Sequence, residues 1–236
     1  MKEEENINFK LLYILDAFLD FLLSKIEEEH DVKQKAEMIT NTIKKAFKEA
    51  GMDCLDIPYE VVQLREMLGK ESDRGCVLSA AAFLENELGR LLKKVLVQDE
   101  KLFKVLFEGY GPLATFSARI DLAYGLGYLA PLQRRDLHLI RKIRNIFAHR
   151  AGEVTFEDSE ISSRCLELYH DIYNENLPPR KKFIRVVVGI AAPIHDAILH
   201  AKTPVEAKDI DLQNEKIKEK AKIIRENISK NLKNEV

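Results

Sequence analysis

Residues that favour tight turns are scarce in this chain. It contains 10 glycines and 7 prolines among 236 residues. A β-sandwich or β-barrel reverses direction at many tight turns, which glycine and proline commonly occupy. Their scarcity therefore predicts a helical protein rather than a β-rich one.

Cysteine is also scarce, and its three positions lie far apart. Cys54, Cys76 and Cys165 are odd in number and form no Cys-x-x-Cys pair. This pattern argues against a disulfide scaffold and a thiolate zinc site, and it fits a reducing compartment. Cys76 and Cys165 fall at apolar helix positions, where cysteine is most often a small core residue.

The sequence lacks a long uninterrupted apolar run. The nearest candidate, residues 183–199, is broken by Arg185, Pro193, His195 and Asp196, whereas a membrane span needs about 18 consecutive apolar residues. The first five residues are mostly acidic, which does not fit a signal peptide. We therefore expect no membrane span and a cytoplasmic location.

The overall composition is that of an ordered globular protein. Hydrophobic residues make up 46% of the chain and charged residues 32%. The net charge of −2 gives no chain-wide signal for nucleic-acid binding. The length allows one sizeable helical core with appended helical arms.

Apolar residues recur at helical spacing through almost the whole chain. Capping and breaking residues divide it into these predicted helices: two between Ile7 and Ala50, then Pro58 to Leu68, Ser72 to about Val97, Lys101 to Phe107, Pro112 to near Gly125, Pro131 to His149, Asp158 or Ser159 to about Tyr173, Phe183 to His200, and Pro204 to about Asn231. Residues 186–188, three valines, also fit a strand. The prediction is an all-α multi-helix bundle with an N-terminal arm (1–70), a core (71–176) and a C-terminal helical extension (177–236).

The predicted helix from Pro131 to His149 carries an apolar stripe and much of the positive charge. At about 100° per residue, the stripe consists of Leu139, Ile140, Ile143, Ile146 and Phe147. We expect these core residues to be buried against the helix around residues 84–92: Phe116, Ile120, Leu122, Ile140, Ile143 and Phe147. The stripe thus fixes which side chains of this helix remain at the surface.

The polar side chains of this helix lie on two different flanks. Lys142, Asn145 and His149 share one flank, whereas Arg144 lies beside the other edge of the stripe, about 140° from His149. The negative end of the helix dipole favours a protonated His149. The alternative is a solvated surface helix whose end is capped by Asn145 and His149.

The string Arg144-Asn145-x-x-x-His149 resembles the signature of the HEPN superfamily, helical nucleotide-binding proteins that include many metal-independent endoribonucleases. The resemblance implies that Arg144 contacts the scissile phosphate, that His149 transfers protons and that Asn145 orients either group. Further phosphate contacts are expected from neighbouring cations: Arg141, Lys142 and Arg150. RNA supplies its own nucleophile, the 2′-hydroxyl, so no metal or other cofactor is implied. Two copies of the motif commonly meet across a homodimer in that superfamily, so Arg144 and His149 need not share a subunit.

A second resemblance covers about 90 residues between Cys76 and Cys165. Residues 111–113 (Gly-Pro-Leu) and 116–127 are similar to the most recognisable stretch of the mannitol operon repressor (MtlR) family. The upstream helix around Glu85 and the downstream segment 154–161 are similar too. This resemblance implies a helical fold and a regulator. The long N-terminal arm and the lysine-rich tail depart from the bacterial repressors.

Other patterns are less specific. His170-Asp171 and His195-Asp196 resemble the His-Asp pair of metal phosphohydrolases, but no further ligands are identifiable, and hydrogen-bonded helix residues are the better interpretation. Residues 125–127 (Gly-x-Gly) fit a helix C-cap better than a phosphate loop. The lysine- and glutamate-rich final helix has partial apolar positions, which favours docking on a partner or a second subunit.

Two functional hypotheses follow. The first is a HEPN-type metal-independent endoribonuclease or RNA-binding protein, with a toxin, defence or regulatory role. The second is a non-enzymatic MtlR-like transcriptional regulator that acts through protein partners. We expect a homodimer in either case, and a protein partner such as an antitoxin or regulator.

Overall fold

A computed structural model describes Leu22 and residues 31–49, 59–169, 177–209, 211 and 213–234. In these ranges the chain forms nine α-helices and no β-strand, which confirms the predicted all-α fold. The helices are α1 (Val32–Glu49), α2 (Tyr59–Lys70), α3 (Asp73–Lys94), α4 (Glu100–Phe107), α5 (Phe116–Gly125), α6 (Pro131–His149), α7 (Ser159–Leu166), α8 (Pro179–His200) and α9 (Glu215–Asn234). Apart from Leu22, the helix predicted from Ile7 lies outside the described residues, as does Cys54.

Side-chain acceptors set the starts of α3 and α4. Ser72 is the N-cap of α3, as predicted, and its hydroxyl accepts a hydrogen bond from the amide of Gly75 at 3.1 Å. The carboxylate of Asp99 caps α4 and accepts from the amide of Lys101 at 2.7 Å. These bonds satisfy amides that have no partner inside the helix.

The helix predicted to open at Pro112 begins later, so that prediction is wrong. Its first residue is Phe116, and Thr115 is the N-cap, with a hydroxyl that accepts from the amide of Ala118 at 3.3 Å. A capping hydroxyl directly before the apolar residues sets the start here, rather than the proline.

The loop before α5 folds back onto the end of α4. The amide of Leu113 donates to the carbonyl of Leu106 at 2.8 Å. A Cβ atom at Gly111 would lie 2.4 Å from the carbonyl oxygens of Val105 and Leu106, so only glycine fits this close approach. The loop therefore fixes where α5 enters the bundle.

The helix predicted to run from residue 158 or 159 to about Tyr173 ends at Leu166, so that boundary is wrong. Beyond α7, the amide of Tyr169 donates to the carboxylate of buried Asp136 on α6, at 3.0 Å. Since this amide is bonded to another helix, it does not continue the hydrogen-bond ladder of α7.

The final helix begins at Glu215 rather than at Pro204, so that predicted start is also wrong. Residues 201–209 are not helical. The side chain of Asn214 accepts a hydrogen bond from the amide of Lys216 at 3.1 Å and thereby caps α9. An asparagine cap ten residues after the proline sets this boundary.

Helix α8 is a core helix of the bundle. The segment 186–188 is helical, not a strand, and Pro193 lies inside the helix. By length and apolar composition α8 is the one helix among the described residues that could cross a membrane, but 78% of its most apolar 18-residue window is buried in the fold. Burial against other helices accounts for its apolar character.

The core is built around α3, which packs against α2, α5, α6 and α8. All three predicted segments contribute fully buried residues, among them Val62 on α2, Leu88 on α3 and Val187 on α8. Five of the six predicted core residues are buried, as predicted: Phe116, Ile120, Ile140, Ile143 and Phe147. Leu122 is half-buried, because α5 turns Ala123 rather than Leu122 inward.

Two cysteines are part of this core. Cys76 and Cys165 are fully buried with free thiols, which confirms their predicted role as small core residues. Burial raises the pKa of the Cys76 thiol to about 11 and that of Cys165 to about 12. Both thiols are therefore protonated near neutral pH and poor nucleophiles.

The chain divides into two compact units, residues 1–204 and residues 205–236. The first unit contains helices α1 to α8, and the second contains α9. The candidate site lies entirely within the first unit.

Candidate functional site

The register of α6 determines which side chains of the Arg-Asn-x-x-x-His string reach the surface. Pro131 is the first residue of α6, and the side chain of Gln133 accepts a hydrogen bond from the amide of Ala130 at 2.7 Å. The buried stripe of the helix includes Ile143 and Phe147, which are fully buried. The side chains on the opposite face of α6 therefore reach the surface.

The C-terminal end of α6 is held by Arg74, near the start of α3. Its guanidinium donates to the carbonyl of Phe147, to that of Arg150 at 3.1 Å and to that of Gly152 at 2.8 Å. The last carbonyls of a helix lack internal partners and carry the negative end of its dipole. Arg74 satisfies one of them, that of Phe147, and two carbonyls just beyond the helix, and it brings a fixed positive charge to this end of α6, a role that the sequence analysis did not assign to it.

Arg144 points toward α3 rather than toward the exposed face. Its guanidinium lies 3.9 Å from the carboxylate of Glu85, and Arg119 of α5 lies 4.0 Å from the other carboxylate oxygen. The side chains of Arg144 and Glu85 are 30% and 27% exposed. Glu85 thus holds the motif arginine within its own protomer.

Asn145 and His149 lie on the outer side of α6. Together with Arg141 and Lys142, they fall within about 100° of the helix circumference. We call Arg141, Lys142, Asn145 and His149 the α6 basic face. Lys142 and His149 are exposed, and Arg141 and Asn145 are half-buried. The structure therefore places Asn145 and His149 on one face and does not bring Arg144 to them within a protomer.

The side chains of the α6 basic face have no hydrogen-bond or ion-pair partner among the described residues. The Nε of Arg141 is buried and unpaired, although most buried polar atoms in folded proteins are hydrogen-bonded. Unpaired cations next to an amide and an imidazole can bind an anion such as a carboxylate or a phosphate.

Arg150 differs from the other predicted phosphate contacts. Its guanidinium lies 2.7 Å from Glu160 and 3.6 Å from Asp158. Hydrogen bonds from Arg164 and Arg150 hold the pKa of Glu160 below its ordinary value. The charge of Arg150 is therefore compensated inside the chain.

The N-terminal half of α6 is paired with α5. The carboxylate of Asp121 accepts from Arg134 at 2.8 Å and lies 3.1 Å from the ring of His138, while Arg134 stacks on Tyr124 at 4.9 Å. Burial acts to raise the pKa of Asp121, but the hydrogen bonds from Arg134 and His138 outweigh it and hold that pKa below its ordinary value. The unpaired cations are thus confined to the second half of α6.

Arg119, in the stretch that resembles the MtlR family, connects α5 to α3 and to the loop before α5. Arg119 donates from Nε to the carbonyl of Leu113 at 2.8 Å and from Nη1 to that of Glu85 at 3.1 Å. A Cβ atom at Gly89 on α3 would lie 3.2 Å from the Arg119 guanidinium, so the glycine makes room for this contact. Sequence reasoning found the stretch but not this role, because its partners come from other segments of the chain.

A buried hydrogen-bonded pair joins α3 to α8. The Nδ1 of His195 lies 3.0 Å from the carboxylate of Glu87, and both residues are 4% exposed. Glu60 approaches the other ring nitrogen at 3.6 Å, and Arg90 pairs with Glu87 at 2.6 Å. His195 is therefore a hydrogen-bonded core residue, in agreement with the sequence interpretation.

The described residues provide no set of metal ligands around His195. No group of three or more histidine, cysteine or acidic residues that could hold a metal ion occurs in the described ranges. His170 and Asp171 lie outside the residues that the structure describes.

The fold and the site together define an all-helical protein. One helix of its bundle carries basic side chains that have no hydrogen-bond or ion-pair partner among the described residues. A family model described as mannitol repressor (MtlR) matches residues 63–181, about half of the chain and all of α6. The chain therefore belongs to the mannitol repressor family, which confirms that resemblance.

Individual relatives match about half of the chain's length. The mannitol operon repressors of Escherichia coli strain K12 and of E. coli O6:H1 strain CFT073 are each 30% identical to it over 115 residues, which is 47% of this chain and 59% of theirs. The chain thus spans 59% of the length of these curated relatives. The X-ray structure of the MtlR–HPr complex from E. coli matches with 23% identity and a TM-score of 0.48, over 57% of this chain and 97% of that one. The HEPN resemblance has no counterpart among these matches and stays a prediction.

Proposed function

We propose that this chain is a non-enzymatic regulator of the mannitol repressor kind, which acts by binding a protein partner through the α6 basic face. Membership of the family carries the proposal, because the matched residues 63–181 include the whole of α6. The unpaired cations of that face support it, since they are available to an external anion.

The electrostatics of the first unit favour an acidic partner surface. Three other arginines in and just beyond α6 are compensated by acids within the chain: Arg134 by Asp121, Arg144 by Glu85, and Arg150 by Glu160. Arg135 donates to the backbone carbonyl of Glu167 at 3.1 Å. Lys142 and Arg141 remain available for carboxylates on a partner. Charges at the rim of an interface mainly raise the association rate and make binding salt-dependent.

The proposal is tested by titrating a partner protein into the full chain in a calorimeter. HPr, the protein bound to MtlR in the solved E. coli complex, is the first to test. The double variant Arg141→Glu/Lys142→Glu should weaken binding by about tenfold or more, because it reverses two charges at the contact. The matched control Lys101→Glu/Lys104→Glu changes the same charge on exposed positions of α4 and should bind like the wild type. Equal binding by both double variants would exclude the α6 basic face as the contact.

A second candidate function is binding and cleavage of RNA, as the HEPN resemblance implies. The observation in its favour is that Asn145 and His149 share the basic face with unpaired Arg141 and Lys142. Arg144 would stabilise charge on the phosphate and His149 would transfer protons. Because Arg144 points toward Glu85, this candidate requires a homodimer in which Arg144 of one subunit lies near His149 of the other.

This candidate is tested with purified wild type and His149→Ala on a mixed RNA substrate, with and without EDTA. Cleavage should be insensitive to EDTA, leave 2′,3′-cyclic phosphate ends and disappear in His149→Ala. Light scattering on the same samples should show a dimer at micromolar concentration. Equal activity of the two proteins would remove His149 from the reaction, and absence of both cleavage and RNA binding at low salt would leave the regulator as the function.

A further inference from the structure

Helix α9 carries a narrow apolar stripe at the surface of the protein. Its members follow one another at intervals of 4, 3, 4 and 4 residues: Ile217, Ala221, Ile224, Ile228 and Leu232. Ile224 and Ile228 are 58% and 55% exposed. The spacing is close to the alternating 4 and 3 of a heptad repeat and keeps these side chains within about 80° of the helix circumference.

The charges of α9 are sorted around this stripe. Lys218 and Arg225 border one edge, and Lys220 borders the other. The three acidic residues of the helix lie together on the opposite side: Glu215, Glu219 and Glu226. Apart from one exposed contact of Lys218 with Glu215 at 3.0 Å, the side-chain charges along the edges have no partner in the described part of the chain. The apolar stripe therefore has a positive rim on both sides.

Like charges disfavour a second copy of α9 as the occupant of the stripe. In a parallel pair, Lys220 of one copy would lie opposite Arg225 of the other, in the positions that flank a coiled-coil seam. In an antiparallel pair, Lys218 would lie opposite Arg225. Both arrangements bring cations together, whereas glutamates at the flanking positions of a different helix would pair with them.

The shape of the stripe also distinguishes a helix from a lipid surface. Helices that lie on membranes present a broad apolar face, usually with tryptophan, phenylalanine or leucine. The stripe of α9 is narrow, consists mainly of isoleucine and contains no aromatic residue. A narrow apolar seam at heptad-like spacing is the arrangement by which helices pack in a coiled coil.

We propose that α9 is a docking helix for an acidic amphipathic helix of another protein, which packs on Ile217, Ile224 and Ile228 and places its glutamates against Lys220 and Arg225. The helix is about 30 Å long, which accommodates about three heptads of a partner. This surface belongs to the second unit, so the inference is independent of the function proposed for the α6 basic face.

The test uses the full chain and two designed helical peptides of about four heptads. Both have isoleucine and leucine at the seam positions; one has glutamate and the other lysine at the flanking positions. Fluorescence anisotropy should show that the glutamate peptide binds at least about tenfold more tightly than the lysine peptide. Ile224→Asp/Ile228→Asp should abolish binding of the glutamate peptide.

Charge reversal on opposite sides of α9 provides the matched control. Lys220→Glu/Arg225→Glu should weaken binding of the glutamate peptide by at least about tenfold and create binding of the lysine peptide. Lys222→Glu/Lys230→Glu makes the same change in charge away from the stripe and should bind like the wild type. Circular dichroism and light scattering establish that each variant retains its helix content and oligomeric state.

Three outcomes would overturn the proposal. One is equal binding of the two peptides, or of the two charge-reversed variants. Another is binding to vesicles that contain phosphatidylserine, lost in Ile224→Asp/Ile228→Asp, without binding of the glutamate peptide. The third is a dimer of the full chain that this isoleucine variant dissociates, which would make a second copy the occupant.

Discussion

The guanidinium of Arg144 lies 3.9 Å from the carboxylate of Glu85, across the packing of α6 on α3. Arg119 approaches the same carboxylate at 4.0 Å, so one acid is shared by two arginines. Glu85 therefore determines how much of the charge of Arg144 is available to an external anion. The pair is partly exposed, so its contribution to stability is small, about 1 kcal/mol or less.

Glu85→Gln should strengthen anion binding at α6. The substitution removes the charge that holds Arg144, and we expect a short single-stranded RNA to bind about two- to fivefold more tightly at low salt. Anisotropy at several salt concentrations measures this effect. Glu108→Gln, an equal change at an exposed position after α4, is the control; an identical gain in both variants would show that only net charge matters.

Arg74→Ala should destabilise the end of α6. Three backbone carbonyls lose a charged donor, and we expect a loss of about 2–3 kcal/mol in the free energy of unfolding. Urea denaturation provides the measurement. Lys94→Ala, at an exposed position of the same helix α3, should change it by less than about 0.5 kcal/mol. A loss below 0.5 kcal/mol in Arg74→Ala would contradict the role of Arg74 at the helix end.

Phe147→Ala should be much more destabilising than Tyr110→Ala. Phe147 is fully buried, with its ring centroid 5.5 Å from that of Phe156, whereas Tyr110 is fully exposed in the loop before α5. The cavity left by Phe147 should lower the free energy of unfolding by about 3–5 kcal/mol. Thermal and urea denaturation compare the variants, and an unchanged melting temperature for Phe147→Ala would mean that the stripe of α6 is not part of the core.

The Glu87–His195 pair should make stability fall at acidic pH. Burial acts to raise the pKa of Glu87, but the hydrogen bonds from His195 and Arg90 outweigh it and hold that pKa below its ordinary value of 4.5. A carboxyl whose pKa is lowered by folding stabilises the protein above its unfolded-state pKa. This contribution is lost as the pH falls below about 4.5 and through the folded-state pKa.

Glu87→Gln tests this pH dependence. At pH 7 the wild type should be more stable by about 1–2 kcal/mol, because glutamine can keep hydrogen bonds to His195 and Arg90 but lacks the carboxylate charge that strengthens them. The difference should shrink as the pH falls from 5 toward 3, as measured by urea denaturation at each pH. Glu60→Gln, at the half-exposed acid beside His195, should cost about 1 kcal/mol or less. A difference that stays constant down to pH 3 would contradict the lowered pKa of Glu87.

Local patterns explain why much of the fold was predictable. Ser72 begins a helix because a hydroxyl before an apolar helical repeat satisfies free amides, and this signal lies within a few residues of sequence. Local signals also gave two wrong helix starts, at Pro112 and Pro204. Proline permits a helix start, but the capping residues Thr115 and Asn214 set it. The early end of α7 depended on Asp136, which is distant in sequence.

The sequence by itself determined that the chain is helical, that it resembles the MtlR family, and that Asn145 and His149 share one flank of α6. The helices and the shared flank follow from residue spacing and from local capping, which need no knowledge of long-range contacts. The resemblance rests on similar residues in segments such as 111–113 and 116–127. Only the tertiary structure decided which cations remain unpaired. Arg144 and Arg150 meet Glu85 and Glu160, whereas Lys142 meets no acid of the described chain. An ion pair between residues far apart in sequence depends on how the helices pack, and no periodicity along one helix reveals it.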